Sequence, residues 1–179
     1  MDRVASPYTR TARRLHWLIV SLVFIQFITA FTMPDIGPNV VPGTLINLHL
    51  SFGLLILIVM AIRFIHRLRH PVPLEAAGTP PWENTVARVT HRIFYFILLV
   101  GPFLGWASAS AHRLPVSLFG IIPLPAFAAP RARWALQAGD VHAWMMWALL
   151  VLIGLHVAAA LYHHFIRHDN VLRRMLPRH

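Results

Sequence analysis

The stretch Asp140 to Arg167, DVHAWMMWALLVLIGLHVAAALYHHFIR, decides most of what this chain can become. It is long and apolar enough to cross a bilayer as a helix. It also carries His142 and His156, both set among apolar residues. Fourteen positions separate them (156 − 142). At ~1.5 Å rise that places them ~21 Å apart along the axis. At about 100° per residue the spacing falls within ~40° of whole turns, so both imidazoles face one side. Polar side chains inside a bilayer are costly, and their default reading is functional. One helix therefore offers two inward ligands, one near each membrane face.

The remaining chain divides into three further apolar spans. The first runs from about Leu15 to Met33, with Ser6 and Pro7 expected to start its helix. Pro34, Gly37 and Pro38 end it. The second runs from about Thr44, read as its cap, to Ile65. A Pro- and Gly-rich loop over 70–83 follows. The third runs from about Val89 to Ala111, with Pro102 expected to kink it. The fourth is the stretch above, about 140–166. Between the last two lies a long connection over 112–139, too broken by Pro115, Pro123, Pro125 and Pro130 to cross a membrane. It is expected to lie on the bundle or in the interface, with RARWALQAGD as a short helix leading onward. The expected fold is all-α, a single four-helix transmembrane bundle.

Composition agrees. There is no cysteine, which excludes disulfides, iron–sulfur clusters and thiolate zinc sites. All 16 basic residues are Arg, against six acidic residues, for a formal charge of +10. In a soluble protein this would suggest nucleic acid, but here the charge lies between apolar spans and reads as topology. Arg3, Arg10, Arg13 and Arg14 precede the first span. Arg63, Arg67, Arg69, Arg88 and Arg92 flank the second loop, and Arg167, Arg173, Arg174 and Arg178 follow the fourth span. Arg113, Arg131 and Arg133 fall on the other side. Both termini are therefore expected in the cytoplasm. No cleavable signal peptide is expected, since the first apolar run lacks a small-residue cleavage site and contains a histidine. The basic tail is expected at the membrane surface.

The histidines sort by depth into two levels. His16 and His156 lie toward the cytoplasmic side, and His49 and His142 toward the outer side. Two imidazole pairs at two depths of a four-helix bundle suit two bis-histidine haems, each iron taking one ligand from each ring face. Without a CxxCH motif the haems would be non-covalent, b-type. A lone boundary histidine is commonly interfacial, and the matched depths weigh against that for these four. His66, His70, His112, His168 and His179 read as solvated. His91 reads either as a neighbour of the inner haem or as an ordinary helix-start residue. His163 or His164 could replace His156 as ligand, or line a site at the inner haem edge. Ser51, Gly53, Gly101, Gly105, Ala107, Gly154 and Ala158 offer small surfaces for a flat ligand or for close helix packing. Arg113, Arg131 and Arg133 could pair with outer propionates and Arg13, Arg14 or Arg92 with inner ones, or each could snorkel to headgroups. The tryptophans, Trp17 and Trp106 among them, read as interfacial belt residues.

These features resemble the prokaryotic cytochrome b561 family, from near residue 7 to the C-terminus. The resemblance rests on RxLHW (Arg13, Leu15, His16, Trp17), on His49 opening the second span, and on VHAWMMWALLVLIGLHVAAALYHHFIRHDNVLRRMLP. It implies a multi-pass protein of the bacterial inner membrane with two b haems on His16, His49, His142 and His156. It also implies oxidation of superoxide at the outer side with reduction of ubiquinone. Arg113, Arg131 and Arg133 would make the outer entrance positive and steer an anion inward. His163 or His164 could serve the quinone. A second reading is a di-haem subunit passing electrons between a partner dehydrogenase or hydrogenase and the quinone pool. A third, a metal or proton transporter, would need acidic residues within the spans, and Asp35 and Asp140 lie only at boundaries. The expected partners are lipid, quinone, and superoxide or a redox protein, with no nucleic acid.

Overall fold

The computed structural model describes residues 8–37, 40–70 and 80–176. It contains four helices, α1 (Arg10–Thr32), α2 (Thr44–Arg69), α3 (Pro81–Ala111) and α4 (Arg133–Phe165). Each is long and apolar enough to cross a membrane. The helices extend beyond the apolar runs because their ends are built from capping chemistry. Thr9, not Ser6, caps α1, its hydroxyl accepting the Ala12 N–H at 3.1 Å. Ser6 and Pro7 lie outside the described residues, as do 71–79 of the expected second loop. Gly43 takes the cap position of α2, and Thr44 is its first helical residue. Pro81 opens α3, where its missing N–H is no loss, and Glu83 favours the same first turn. RARWALQAGD does not form a separate helix: from Arg133 onward it is the first turns of α4. At 33 residues α4 measures ~50 Å, well beyond the ~30 Å of a hydrocarbon core.

The helices pack in sequence, α1 on α2, α2 on α3 and α3 on α4. No Cα of α4 comes within 8 Å of α1 or α2 over a shared interface. The bundle is thus closed on three seams and parted along the fourth. A midplane core ties the middle of all four together through Ile19, Leu22, Val23, Ile56, Met60, Ile97 and Leu149. Small residues make the α3–α4 seam close. A Cβ on Gly101 would stand 2.8 Å from the Met146 methyl, and Ala107, Ala111, Ala135 and Ala138 form a buried alanine cluster farther out.

The long connection folds as a cap on one end of the bundle. It includes a hairpin that the proline pattern concealed, β1 (Ser117–Leu118) antiparallel to β2 (Ile122–Pro123). Phe119 and Gly120 both carry positive φ, as the turn geometry favoured in such hairpins demands. For Phe119 that conformation costs about 1–2 kcal/mol. Ser51 of α2, 2 % exposed, holds it in place. Its hydroxyl accepts the Phe119 N–H at 3.0 Å and shares its proton between the carbonyls of Asn47 (2.7 Å) and Ser117 (3.0 Å). The Phe119 ring meets Phe52 edge-on at 5.3 Å. Ser51 is therefore an anchor for the cap and not a flat surface for a ligand. Ser110 repeats the device at the other end of the connection, accepting the Phe127 N–H at 3.0 Å.

Ser51→Ala would leave the Phe119 N–H and the Ser117 carbonyl without their side-chain partner. The expected cost is about 1–3 kcal/mol. It should appear as faster amide hydrogen exchange through residues 114–124, with α1 and α4 exchanging as before.

Candidate functional site

The parted seam holds a cavity of about 660 Å³ lined from all four helices. That lies within the ~300–1,000 Å³ usual for small-molecule and cofactor sites. His49 of α2 and His142 of α4 face each other across it, ring centroids 6.4 Å apart and planes at 87°. His142 is oriented by α3: its Nδ1–H donates to the Gly101 carbonyl at 2.9 Å. A carbonyl oxygen has a second lone pair to accept such a bond. This fixes the tautomer and leaves Nε2 with a free lone pair, the arrangement that raises a histidine's basicity as a ligand. Gly105 backs the ring, and a Cβ there would stand 3.3 Å from His142 Cε1. His49 is held differently. Gln26 of α1 donates from Nε2 to the His49 carbonyl at 3.1 Å and lies 3.1 and 3.2 Å from the two ring nitrogens. Its Oε1 is buried without a partner, as is Nε1 of Trp106, another lining residue. Two buried polar atoms at the wall of an apolar cavity call for a polar group inside it. For His49 to offer a nitrogen to a ligand, the Gln26 amide has to rotate aside.

The second level gathers His16 of α1, His91 of α3 and His156 of α4. His91 and His156 lie 5.6 Å apart between ring centroids, and Phe94 meets His156 at 5.3 Å. His16 lies within electrostatic reach of His156, His91 and Arg63. His91 is steadied by a hydrogen bond to the Ala87 carbonyl one turn back. Of its two readings, the structure supports the neighbour of the inner level. Arg63 donates to the Ala12 carbonyl at 2.9 Å, one turn before His16. It is thus closer to this level than Arg13, whose Nη1 donates to the Leu176 carbonyl at 2.8 Å.

The start of α1 and the segment after α4 meet here. Trp17 Nε1–H donates to the Met175 carbonyl at 2.9 Å, beside the Arg13 bond. Trp17 is therefore a clasp as well as an interfacial residue, and the tail folds back over the start of α1. Farther along α4, His163 donates from Nδ1 to Asp169 Oδ2 at 2.5 Å and places Nε2 3.8 Å from Glu83 Oε2. Glu83 pairs with Arg167 at 3.0 Å. With Nδ1 committed to Asp169, His163 keeps only Nε2 for a further partner, and it stands beyond His156 along α4 at this end of the bundle. His164 stacks edge-on with Phe165 at 4.7 Å.

Other expected residues sit as follows. Arg113, Arg131 and Arg133 are exposed on or beside the cap and line no part of the cavity. His112, read as solvated, is half-buried and lines the cavity, its Nδ1–H bonded to the Ser108 carbonyl at 2.9 Å. His66 and His70 stack at 4.1 Å. A Cβ on Gly154 would meet nothing within 4 Å. Gln26, Arg63, Glu83 and Asp169 escaped the sequence reading. Only Asp169 carried a signal, as the first residue of the DxVLxRMLP ending, where its Oδ1 accepts the Val171 N–H at 3.0 Å. Among the described residues no three His, Asp or Glu converge as they would on a bare metal ion.

Comparison with known proteins gives a consistent result. The family model for prokaryotic cytochrome b561 matches residues 7–178. Cytochrome b561 homolog 2 of Escherichia coli K12 is 31 % identical over 166 residues, covering 90 % of this chain and 86 % of its own. A Yersinia pestis protein named as a probable superoxide oxidase, CybB, is 29 % identical, covering 92 % of each chain. Cytochrome b562 of Cereibacter sphaeroides is 30 % identical, covering 94 % of each.

The Asp169 link has a measurable acid limit. Burial alone would raise this carboxyl, but the hydrogen bonds from His163 and Val171 and the nearby His163 and Arg167 charges outweigh it, and the net shift is downward from 3.8. A depressed carboxyl contributes stability above its ordinary value, and that stability is lost as pH falls through the lower folded value. In acid unfolding, Asp169→Asn should therefore match the wild type below the carboxyl range and be less stable at neutral pH.

Proposed function

The chain belongs to the prokaryotic cytochrome b561 family, and from that premise we propose that it oxidises superoxide at the periplasmic face of the bacterial inner membrane and reduces ubiquinone. The family assigns it a b561-type electron-transfer role and four membrane-spanning helices. The finer reading takes His16 with His156 and His49 with His142 as axial ligands of two b haems. The observation that carries it is that each pair bridges the parted seam, taking one histidine from α4 and one from α1 or α2. Two imidazoles sharing one iron have ring centroids roughly 6 Å apart, from two bonds of about 2 Å and the ring radii. The 6.4 Å between His49 and His142 meets that requirement. The free Nε2 of His142, the glycine behind its ring and the unpartnered Gln26 and Trp106 atoms support the same use of the cavity. Without cysteine the chain has no thioether attachment, which favours haem b. When bound, the haems supply a one-electron path between the two faces.

The residues at each end support the direction. The Arg excess at the end where the start of α1 meets the segment after α4 favours a cytoplasmic placement of that end. Arg113, Arg131 and Arg133 then stand on the periplasmic side, where they would draw in superoxide. His163 and His164 stand at the opposite end, where an imidazole serves a quinone. The Yersinia relative's name favours superoxide as donor over a docked dehydrogenase or hydrogenase.

Purified protein should carry two low-spin b haems per chain by pyridine haemochrome. His16→Ala or His156→Ala should remove one, and His49→Ala or His142→Ala the other; full haem content in any of the four would overturn the ligand set. Replacing Arg113, Arg131 and Arg133 together by Gln should slow superoxide-driven haem reduction roughly tenfold at low ionic strength, the difference shrinking with added salt.

A further inference from the structure

Glu83, His163, Arg167 and Asp169 form a mixed-charge cluster joining three segments, the start of α3, the end of α4 and the tail beyond it. All four side chains are largely buried, between 13 % and 29 % exposed. Such a group inside a membrane bundle is costly unless it is used. Its geometry is uneven in an informative way. Nδ1 of His163 is fully engaged by Asp169, which also accepts the Val171 N–H and so cannot swing away. Nε2 points toward Glu83 Oε2, but 3.8 Å is too long for a hydrogen bond. That carboxylate oxygen is buried and makes no hydrogen bond, although its sister oxygen binds Arg167. A proton donor and a proton acceptor therefore face each other without a direct hydrogen bond. Tyr162 meets the ring edge-on at 6.0 Å.

We propose that Glu83, His163 and Asp169 are the proton-uptake relay for quinone reduction, with Asp169 as the positioning residue that keeps Nε2 aimed at the quinone oxygen. The inference rests on the quinone-reducing reading above. Reduction of a quinone to a quinol takes two electrons and two protons. The electrons come singly from two turnovers of the donor, and each proton comes from cytoplasmic water. His163, protonated on both nitrogens, gives its Nε2 proton to a reduced quinone oxygen. Glu83 then carries the next proton from water to Nε2, while Asp169 holds the Nδ1 proton throughout. The ring returns to its starting state after each transfer. The pair-by-pair arrangement follows the logic of general acid catalysis, in which a carboxylate fixes the imidazole and a second group reloads it.

The test uses the haem-loaded full chain, reduced with limiting dithionite and mixed with a water-soluble ubiquinone. Haem reoxidation is followed across pH, and proton uptake with an indicator dye. The wild-type rate should depend on pH, because each quinol formed draws two protons from water. Asp169→Asn and Glu83→Gln should slow reoxidation roughly ten- to a hundredfold at neutral pH and flatten that profile, with haem content and reduced spectrum unchanged. Asp169→Glu should recover most of the rate. Wild-type rate and pH profile in both variants would overturn the relay, and so would a uniform slowing with loss of haem that Asp169→Glu does not rescue, the mark of a structural clamp. If wild-type protein is reduced but never reoxidised by quinone, the quinone reading itself fails and the relay with it.

Discussion

The parting of α4 from α1 and α2 is the constraint from which the rest of the structure follows. A long apolar helix would ordinarily close against both neighbours, because interhelical contact in a membrane is driven by close packing. Here the close backbone approach of α4 is confined to one side, against α3. Gly101, Gly105 and the alanine cluster let α3 approach it closely, and Leu149 reaches the midplane core. The side facing the cavity carries His142 and Asp140. Imidazoles held apart across an apolar gap are expensive in lipid. That expense is tolerable when a flat, polar-edged group fills the space between them.

The two ends of the bundle are stabilised by different chemistry. At one end a rigid cap is fastened by buried serines, Ser51 and Ser110, that satisfy loop N–H groups no helix could reach. At the other, charge and backbone carbonyls do the joining: Arg13 and Trp17 hold the tail, and Arg167 and Asp169 tie its start to Glu83 and His163. The capped end encloses the cavity, and the ionic end suits exchange with water. This division parallels the Arg distribution along the chain.

Much of this was legible in the residues. Apolar run length gave four helices, and the shared face of His142 and His156 placed both toward the gap. The hairpin at 117–123 was not legible, because its prolines mask a pairing only two residues long on each strand and its turn uses Phe119 where glycine would be expected. Gln26, Arg63 and Glu83 were missed for a different reason. Each is an ordinary residue at an ordinary helical position, and only tertiary packing brings it beside a histidine. The belt reading of Trp17 and Trp106 was incomplete, because an indole has both a ring and an N–H to place: Trp17 also clasps the tail and Trp106 also lines the cavity.

Both proposed ligand pairs draw one member from α4, the last helix made. On that reading, assembly order matters as much as geometry. A ribosome releasing α1 to α3 would leave His16 and His49 in the membrane as half-built sites with nothing opposite them. Neither cofactor could be captured until α4 had inserted, and then both could be captured in one event. The segment after α4 that reaches back to Arg13 and Trp17 comes later still, so it latches a bundle whose four helices are already in place. Insertion of the cofactors and completion of α4 would be a single checkpoint, and a protein truncated within α4 would be recognisable to quality control as empty at both levels.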